Sequence, residues 1–254
     1  MCAARLATAQ GAAVDPQLPD TAQRISAHVY LVSGFPNVGI VVGRKGTLVI
    51  DTGLGPKNGA LMAKVAADLA RRARGAPQLY LTTTHYHPEH ASGEAGFPPG
   101  TIILRPRIQQ QELDQDGQAM VARFAGNPGF APYLQAVTFR TADVLFDRDY
   151  ALDLGDVQVR LMWRGAAHTQ GDEQIWVKTD RALFTGDLAM KDTRPQRIAK
   201  GATWADWIRI LDELAALKPR HVLPDHGATG DASLIEEQRR YLGEWVRAGG
   251  PPRN

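Results

Sequence analysis

Three histidines and a glutamate fall inside one hexapeptide, His85-Tyr86-His87-Pro88-Glu89-His90. Imidazole and carboxylate are ligand types that suit zinc, iron and manganese. The cluster follows Leu79-Tyr80-Leu81-Thr82-Thr83, an apolar run that reads as a strand. Side chains alternate along a strand, so His85 and His87 share a face. Pro88 cannot donate to a ladder, so the chain turns there. The turn brings Glu89 and His90 to a second position nearby, a spacing that suits two adjacent metals rather than one. A lone histidine is most often a core or surface residue. Three of the chain's seven in one short stretch argue against that reading here.

Three further segments put a candidate ligand beside small residues at the end of a strand. His168 lies in Gly165-Ala166-Ala167-His168-Thr169-Gln170-Gly171-Asp172. Asp187 closes Phe184-Thr185-Gly186-Asp187, and His226 lies in Leu223-Pro224-Asp225-His226-Gly227. Asp51-Thr52-Gly53 ends a strand in the same way. Each alone is an ordinary turn. Their shared position is the argument, because strand ends can converge on one edge. His28 and His221 have no motif around them and read as structural.

The elements that must position these residues follow from apolar periodicity. Strands are expected over 28–32, 38–42, 47–50, 79–83, 144–146, 150–154, 157–162, 174–177, 182–185 and 221–224. Helices are expected over 57–74, 204–217 and 232–247, the first stopped by Gly75. Trp204 and Trp207 read as core or flanking residues of the second helix. Both halves run strands first and a helix after. Two stacked sheets with helices outside each would bury all of them. No internal repeat or low-complexity linker divides the chain, so residues 23–250 read as one domain.

The length of 254 residues suffices for one large α/β domain. With 29 basic against 27 acidic residues the net charge is +2, which gives no electrostatic case for nucleic acid or a membrane surface. The Arg71-Arg72-Ala73-Arg74 run suits the solvated last turn of a helix. Cys2 is the only cysteine, so an intramolecular disulfide and a cysteine-based metal site are both excluded. No apolar run is long enough to span a bilayer. Residues 1–22 read as a flexible N-terminal segment. Within it Ala7-Thr8-Ala9 resembles a signal-peptide cleavage site, although the basic start and long apolar stretch of a leader are missing. On that basis a periplasmic or secreted location is slightly preferred over a cytoplasmic one.

The ordered set Asp51-Thr52-Gly53, His85-x-His87-x-Glu89-His90, His168, Asp187 and His226 resembles the five motifs of the metallo-β-lactamase superfamily. The resemblance covers residues 28 to about 228. It implies an α/β fold (α+β), a four-layer αββα sandwich with metals at one edge of the paired sheets. It implies that His85, His87 and His168 hold one metal, that Glu89, His90 and His226 hold the other, and that Asp187 bridges them. Asp51 would orient the ligand loop without binding metal. One residue departs from the pattern: the family's usual aspartate at position 89 is a glutamate here, longer by one methylene.

Such a site implies a hydrolase with a small-molecule substrate and two zinc ions, iron or manganese being the alternatives. A metal-bound hydroxide would attack an ester, lactone, thioester or β-lactam, with Glu89 and Asp187 as candidate catalytic groups. One subclass of true β-lactamases carries a cysteine at the Asp187 position, and that cysteine is absent. The alternative on the same fold is a mononuclear iron oxidoreductase of the persulfide dioxygenase type. Leu54-Gly55-Pro56-Lys57-Asn58-Gly59 and Lys191-Asp192-Thr193-Arg194-Pro195-Gln196-Arg197 are candidate groove-lining segments. Arg194, Arg197 and Lys200 read as solvated loop charges before substrate contacts.

Overall fold

In the computed structural model, residues 15–191 and 197–249 are described. The chain runs β1 (Gln23–Arg24), β2 (Val29–Val32), β3 (Val38–Val42), β4 (Thr47–Ile50), α1 (Gly55–Arg72), β5 (Leu79–Thr82), α2 (Pro88–Ala91), β6 (Ile102–Pro106), α3 (Arg107–Ala125), β7 (Val144–Phe146), β8 (Asp149–Asp153), β9 (Gln158–Trp163), β10 (Glu173–Val177), β11 (Ala182–Gly186), α4 (Trp204–Ala215), β12 (His221–Pro224) and α5 (Ser233–Ala248). A 3-10 turn at Glu94–Gly96 follows α2.

The strands form two sheets because nearly every one has apolar residues on both faces. In β2, Val29 and Leu31 face one cluster while Tyr30 and Val32 face another. In β11, Ala182 and Phe184 point one way and Leu183 the other. The shared cluster lies between the sheets, where Leu48, Ile50 and Leu104 meet Leu161, Ile175 and Phe184. Gly39 makes room there, since a Cβ on it would sit 2.3 Å from the Phe184 ring. The outer face of the first sheet is covered by α1, through Met62, Ala63 and Ala66. The outer face of the second is covered by α4 and α5, through Trp207, Ile210, Leu211, Ile235 and Leu242. This is the expected αββα sandwich.

The first sheet has seven strands in the order β1-β2-β3-β4-β5-β6-β7, and the second has five, β12-β11-β10-β9-β8. Hairpins make β1 to β4 antiparallel, whereas β4-β5, β5-β6 and β6-β7 are parallel. Parallel neighbours need crossovers. The crossovers α1 and α3 return each chain to the same starting edge, so the C-terminal ends of β4, β5 and β6 lie together. In the second sheet the β11-β12 pair is parallel too, which brings Asp187 and Asp225-His226 to one edge.

Two expectations need correction. The N-terminal segment is expected to be flexible through residue 22, but Pro16 and Leu18 within it are buried. Leu18 is 2% exposed and belongs to the α1 cluster. Its amide donates to Asn58 Oδ1 at 3.0 Å, and Asn58 Nδ2 donates to the Pro16 and Leu54 carbonyls at 2.6 and 2.9 Å. The signal-like residues 1–14 lie outside the described residues. At the end of α1, Arg74 rather than Gly75 takes the left-handed conformation, with φ 55°. Gly75 is needed for close approach instead, its Cβ position lying 2.7 Å from the Gly43 carbonyl.

Leu18→Ala is expected to cost about 2–4 kcal/mol in urea unfolding, the range for emptying a buried leucine site. A loss below about 0.5 kcal/mol, as for an ordinary surface position, would mean that the strap is not packed in solution.

Candidate metal centre

Five imidazoles and four carboxylates meet where the two sheets present their strand ends. His85 lies three residues beyond the end of β5, and Glu173 N–H, at the start of β10, donates to the Thr84 carbonyl between them at 2.7 Å. Pro88 occupies the first turn of α2 and His87 is its extended N-cap. The sequence reading of Pro88 as a turn is thus refined to a helix start, a position that suits proline because the first N–H groups have no partner. All four residues of α2 are buried. The one-turn helix sets the His90 ring 4.0 Å from that of His85 while grouping His90 with Glu89 and His226.

The ring nitrogens of His85, His87 and His168 form one group. His85 Nε2 and His87 Nδ1 are 2.9 Å apart, and His168 Nε2 is 3.3 Å from His87 Nδ1. Ligand atoms of Glu89, His90 and His226 form a second group, all within 4.8 Å of one another. Asp187 stands between them: Oδ2 is 3.5 Å from His168 Nε2 and Oδ1 is 3.5 Å from His226 Nε2. All seven candidate ligands are therefore brought together. The extra methylene of Glu89 does not remove it from the second group, and its Oε1 is 3.8 Å from His90 Nε2.

Burial pushes the pKa of His85, His87, His168 and His226 down, His87 to about 3. These rings are neutral at pH 7 and each keeps a ligating lone pair. Burial works against ionised Asp187 as well, but the surrounding imidazoles, His226 first, outweigh it and hold its carboxyl below the usual range. Burial also opposes a charge on His90, yet Asp51, Asp225 and Glu89 together hold its pKa well above that of ordinary histidine. His90 Nε2 nevertheless has no hydrogen-bond partner, and neither do Glu89 Oε2 and Asp187 Oδ1. Buried polar atoms without partners are costly. Three of them on residues of adjoining ligand groups fit positions that a cation would fill, so the residues present suit a metal.

Asp51 contacts both the ligand loop and His90, and not through the self-bonded turn a strand-end aspartate usually makes. Its φ is 68°, a left-handed conformation tolerated by Asp. Oδ1 accepts from the Thr84 amide at 2.7 Å, and Oδ2 lies 3.1 Å from His90 Nδ1. Thr52 grips α2 from the other side. Its hydroxyl donates to the His90 carbonyl at 2.8 Å and accepts from Gly93 N–H at 2.9 Å. The following Leu54–Gly59 stretch is buried except at Pro56 and Lys57. It is the start of α1 and buttresses the ligand loop, Gly55 N–H donating to Ser92 Oγ at 2.7 Å.

Several supporting residues were not singled out from sequence. Asp225 is 2% exposed; it accepts from the Thr84 hydroxyl at 2.6 Å and lies 3.4 Å from His90 Nδ1. Burial and the facing Asp51 push its carboxyl up to about 7. Asn37, in the β2-β3 hairpin, donates to the Pro224 and Gly227 carbonyls at 2.9 Å each and so clamps the His226 loop. Asp172 accepts from the Ala167 and Thr169 amides and the Thr169 hydroxyl, closing the loop around His168. Gln109 of α3 joins that loop to β5, donating to the Thr83 and Gly171 carbonyls at 2.8 and 3.0 Å. A strand-end Asp next to a candidate ligand was the only sequence signal among these. The β11-β12 register slips between Phe184 and Gly186, re-aiming Asp187. At Gly186 φ is 58° and a Cβ would lie 3.1 Å from Thr84 Cβ.

Trp207 is fully buried, as expected, donates to the Leu188 carbonyl at 3.0 Å and backs the His168 ring. His28 is held by Asp180 at 2.8 Å and, like His221, is absent from the ligand groups. A cleft of about 450 Å³ opens beside His87 and His168, lined also by Glu112, Asp116, Met120, Arg197 and Lys200. Arg197 and Lys200 are thus cleft residues rather than loop charges alone. Residues 192–196, including Arg194, lie outside the described residues.

Residues 32–226 match the family described as Metallo-beta-lactamase superfamily. The chain belongs to that superfamily. A stretch of 111 residues is 25% identical to a metallo-beta-lactamase type 2 of Bacteroides fragilis, spanning 42% of this chain and 44% of that relative. Among solved structures, a metallo-beta-lactamase from Pontibacter korlensis superposes with TM-score 0.67 at 21% identity, covering 89% of this chain and 99% of that one. A stereoselective inverting sec-alkylsulfatase from Pseudomonas sp. superposes with TM-score 0.69 at 18% identity, covering 89% of this chain and 42% of its own. At these identities the superpositions speak for the fold. Among the described residues no helix is long and apolar enough to cross a membrane.

Asn37→Asp keeps the side-chain shape but replaces the Nδ2 donor with a second acceptor, facing two carbonyls. It is expected to lower stability by about 2–4 kcal/mol in urea unfolding, because buried acceptors then lack donors. A loss below about 0.5 kcal/mol would remove the clamp from this account.

Proposed function

We propose that this protein is a metal-dependent hydrolase with a dinuclear zinc centre. His85, His87 and His168 would hold one ion, Glu89, His90 and His226 the other, with Asp187 shared. The observation that carries this reading is the placement of Asp187, one oxygen facing each histidine group. Charge supports it too. Asp51, Glu89, Asp187 and Asp225 are all at most 9% exposed, and buried carboxylates need compensating charge. Two divalent ions offset four such groups. When bound, the pair would supply Lewis acidity and a water acidic enough to attack near neutral pH.

The chain's own groups do the rest. Asp51 and Asp225 fix the tilt of His90 from its Nδ1 side, leaving Nε2 for the site. Asp187 and Glu89 would orient an attacking water and take its proton. Trp207 and the Thr169–Asp172 contacts hold His168. No serine or cysteine nucleophile is required. The substrate reading is an ester, lactone, thioester or β-lactam, all of which carry an electrophilic carbonyl. The names of the relatives, metallo-β-lactamase and alkylsulfatase, add sulfate esters to the compounds worth screening. Fold alone does not choose among them.

Protein purified without chelator is expected to contain about two zinc ions per chain, and stripping them should lower the melting temperature markedly. Glu89→Gln should reduce the content to about one ion, with hydrolysis falling by roughly a hundredfold or more. Elemental analysis and a hydrolysis screen read both. A single iron per chain with oxygen uptake would replace this reading with the oxidoreductase one. No bound metal in the wild type would end it.

A further inference from the structure

The mouth of the site is graded from charged to apolar, and most of the gradient is laid out along α3. Glu112, Asp116 and Met120 line the cleft beside His87 and His168. These positions are spaced by four, so they occupy neighbouring turns of one helix face. Phe124 is the next in the series, and its ring is 6.5 Å from the His87 ring. Phe124 stacks on Phe130 at 6.0 Å, and Phe130 stacks on Phe35 at 5.5 Å. Phe35 reaches the His226 ring at 4.9 Å. Three phenylalanines thus bridge one residue of the first ligand group to one of the second.

These rings are not fully used by the fold. Phe124 and Phe130 pack against Leu54, Val121, Leu134 and Val137 on one side, yet they and Phe35 remain half-buried. The opposite end of the mouth is different in kind. Asp116, Arg197 and Lys200 are exposed there, and no ion pair between them is present among the described residues. An apolar wall that joins the two ligand groups and a charged cleft beside the first therefore meet at His87.

We propose, resting on the metal-centre reading above, that the substrate is amphiphilic about its scissile bond. An aryl or medium-chain alkyl group would lie on the Phe35-Phe130-Phe124 wall. A polar, charged group would lie in the cleft between α3 and Arg197. The wall selects by covered apolar area, and aromatic faces take flat or flexible groups alike. The 192–196 segment is not needed for this assignment.

The test uses zinc-loaded protein and metal-chelating probes, so that it does not depend on knowing the reaction. Acetohydroxamate and octanohydroxamate share one chelating head and differ in chain length. Titration calorimetry should find the octanoyl probe bound at least about tenfold tighter, as expected when several methylenes leave water. Phe130→Gln should cut that ratio to about threefold or less, whereas Phe130→Leu, which restores an apolar group, should keep most of it. Zinc content and melting curves, taken on each variant, separate a lost wall from a lost fold. Equal affinity for the two probes in wild type would overturn the proposal. So would a ratio unchanged by Phe130→Gln in folded, zinc-loaded protein, or zinc-loaded protein that binds neither probe. Wild-type protein that takes up no zinc would instead overturn the metal-centre reading itself.

Discussion

Four carboxylates buried among five imidazoles cannot stand without compensation, and much of the fold serves to hold them together. Burial favours the neutral form of four of the rings, which suits ligation. His90 alone is held toward the protonated state by its neighbours, and its Nε2 finds no acceptor. The electrostatics are incomplete in the protein alone, with His90 Nε2, Glu89 Oε2 and Asp187 Oδ1 all lacking partners. The same incompleteness explains why so many backbone amides and hydroxyls are spent on the surrounding acids. Asp51 takes the Thr84 amide, Asp172 takes two loop amides, and Asp225 takes a threonine hydroxyl.

Bringing these groups together requires both sheets. The parallel β4-β5 and β11-β12 pairs put strand ends, not hairpin turns, at the shared edge. Strand ends there can carry residues too polar for the sandwich interior. Thr84 is the junction: its amide, hydroxyl and carbonyl contact Asp51, Asp225 and Glu173, which belong to the ends of β4 and β12 and the start of β10. A shift of one sheet over the other would break these contacts before it disturbed the apolar layer between them. Packing thus sets the stack coarsely and hydrogen bonds set it finely.

What could be read from sequence follows the same division. β3 and β4 were legible to the residue because they are short runs of Val, Ile and Thr interrupted only by Gly39 and Leu48. The histidine hexapeptide was legible because its residue types are rarely grouped without a metal. β6 and α3 were not. β6 carries Arg105, fully buried in an ion pair with Glu94, and ends in a proline, both of which mask a strand. α3 buries Gln109, Gln110 and Gly117 beside only two apolar residues, so no apolar stripe marks it. Gln109 is buried because it bridges Thr83 to Gly171, a reason that exists only in three dimensions. Asn37 and Asp225 were overlooked on the same ground, as their partners lie far along the chain.

The glutamate at position 89 shows how local geometry tolerates a change of side-chain length. Thr52 holds the C-terminal end of α2, by the His90 carbonyl and the Gly93 amide just beyond it, so the backbone has little freedom to slide. The difference of one methylene must then be absorbed by the side chain itself. Glu89 sits in the first turn, is 6% exposed, and leaves one oxygen unpartnered while the other approaches His90 Nε2. Burial pushes this carboxyl up to about 7, so in the metal-free protein it resists ionisation, and a bound cation would favour the ionised form. The acid at this position is therefore constrained less by its length than by the fixed distance from a clamped one-turn helix to the second group of ligands.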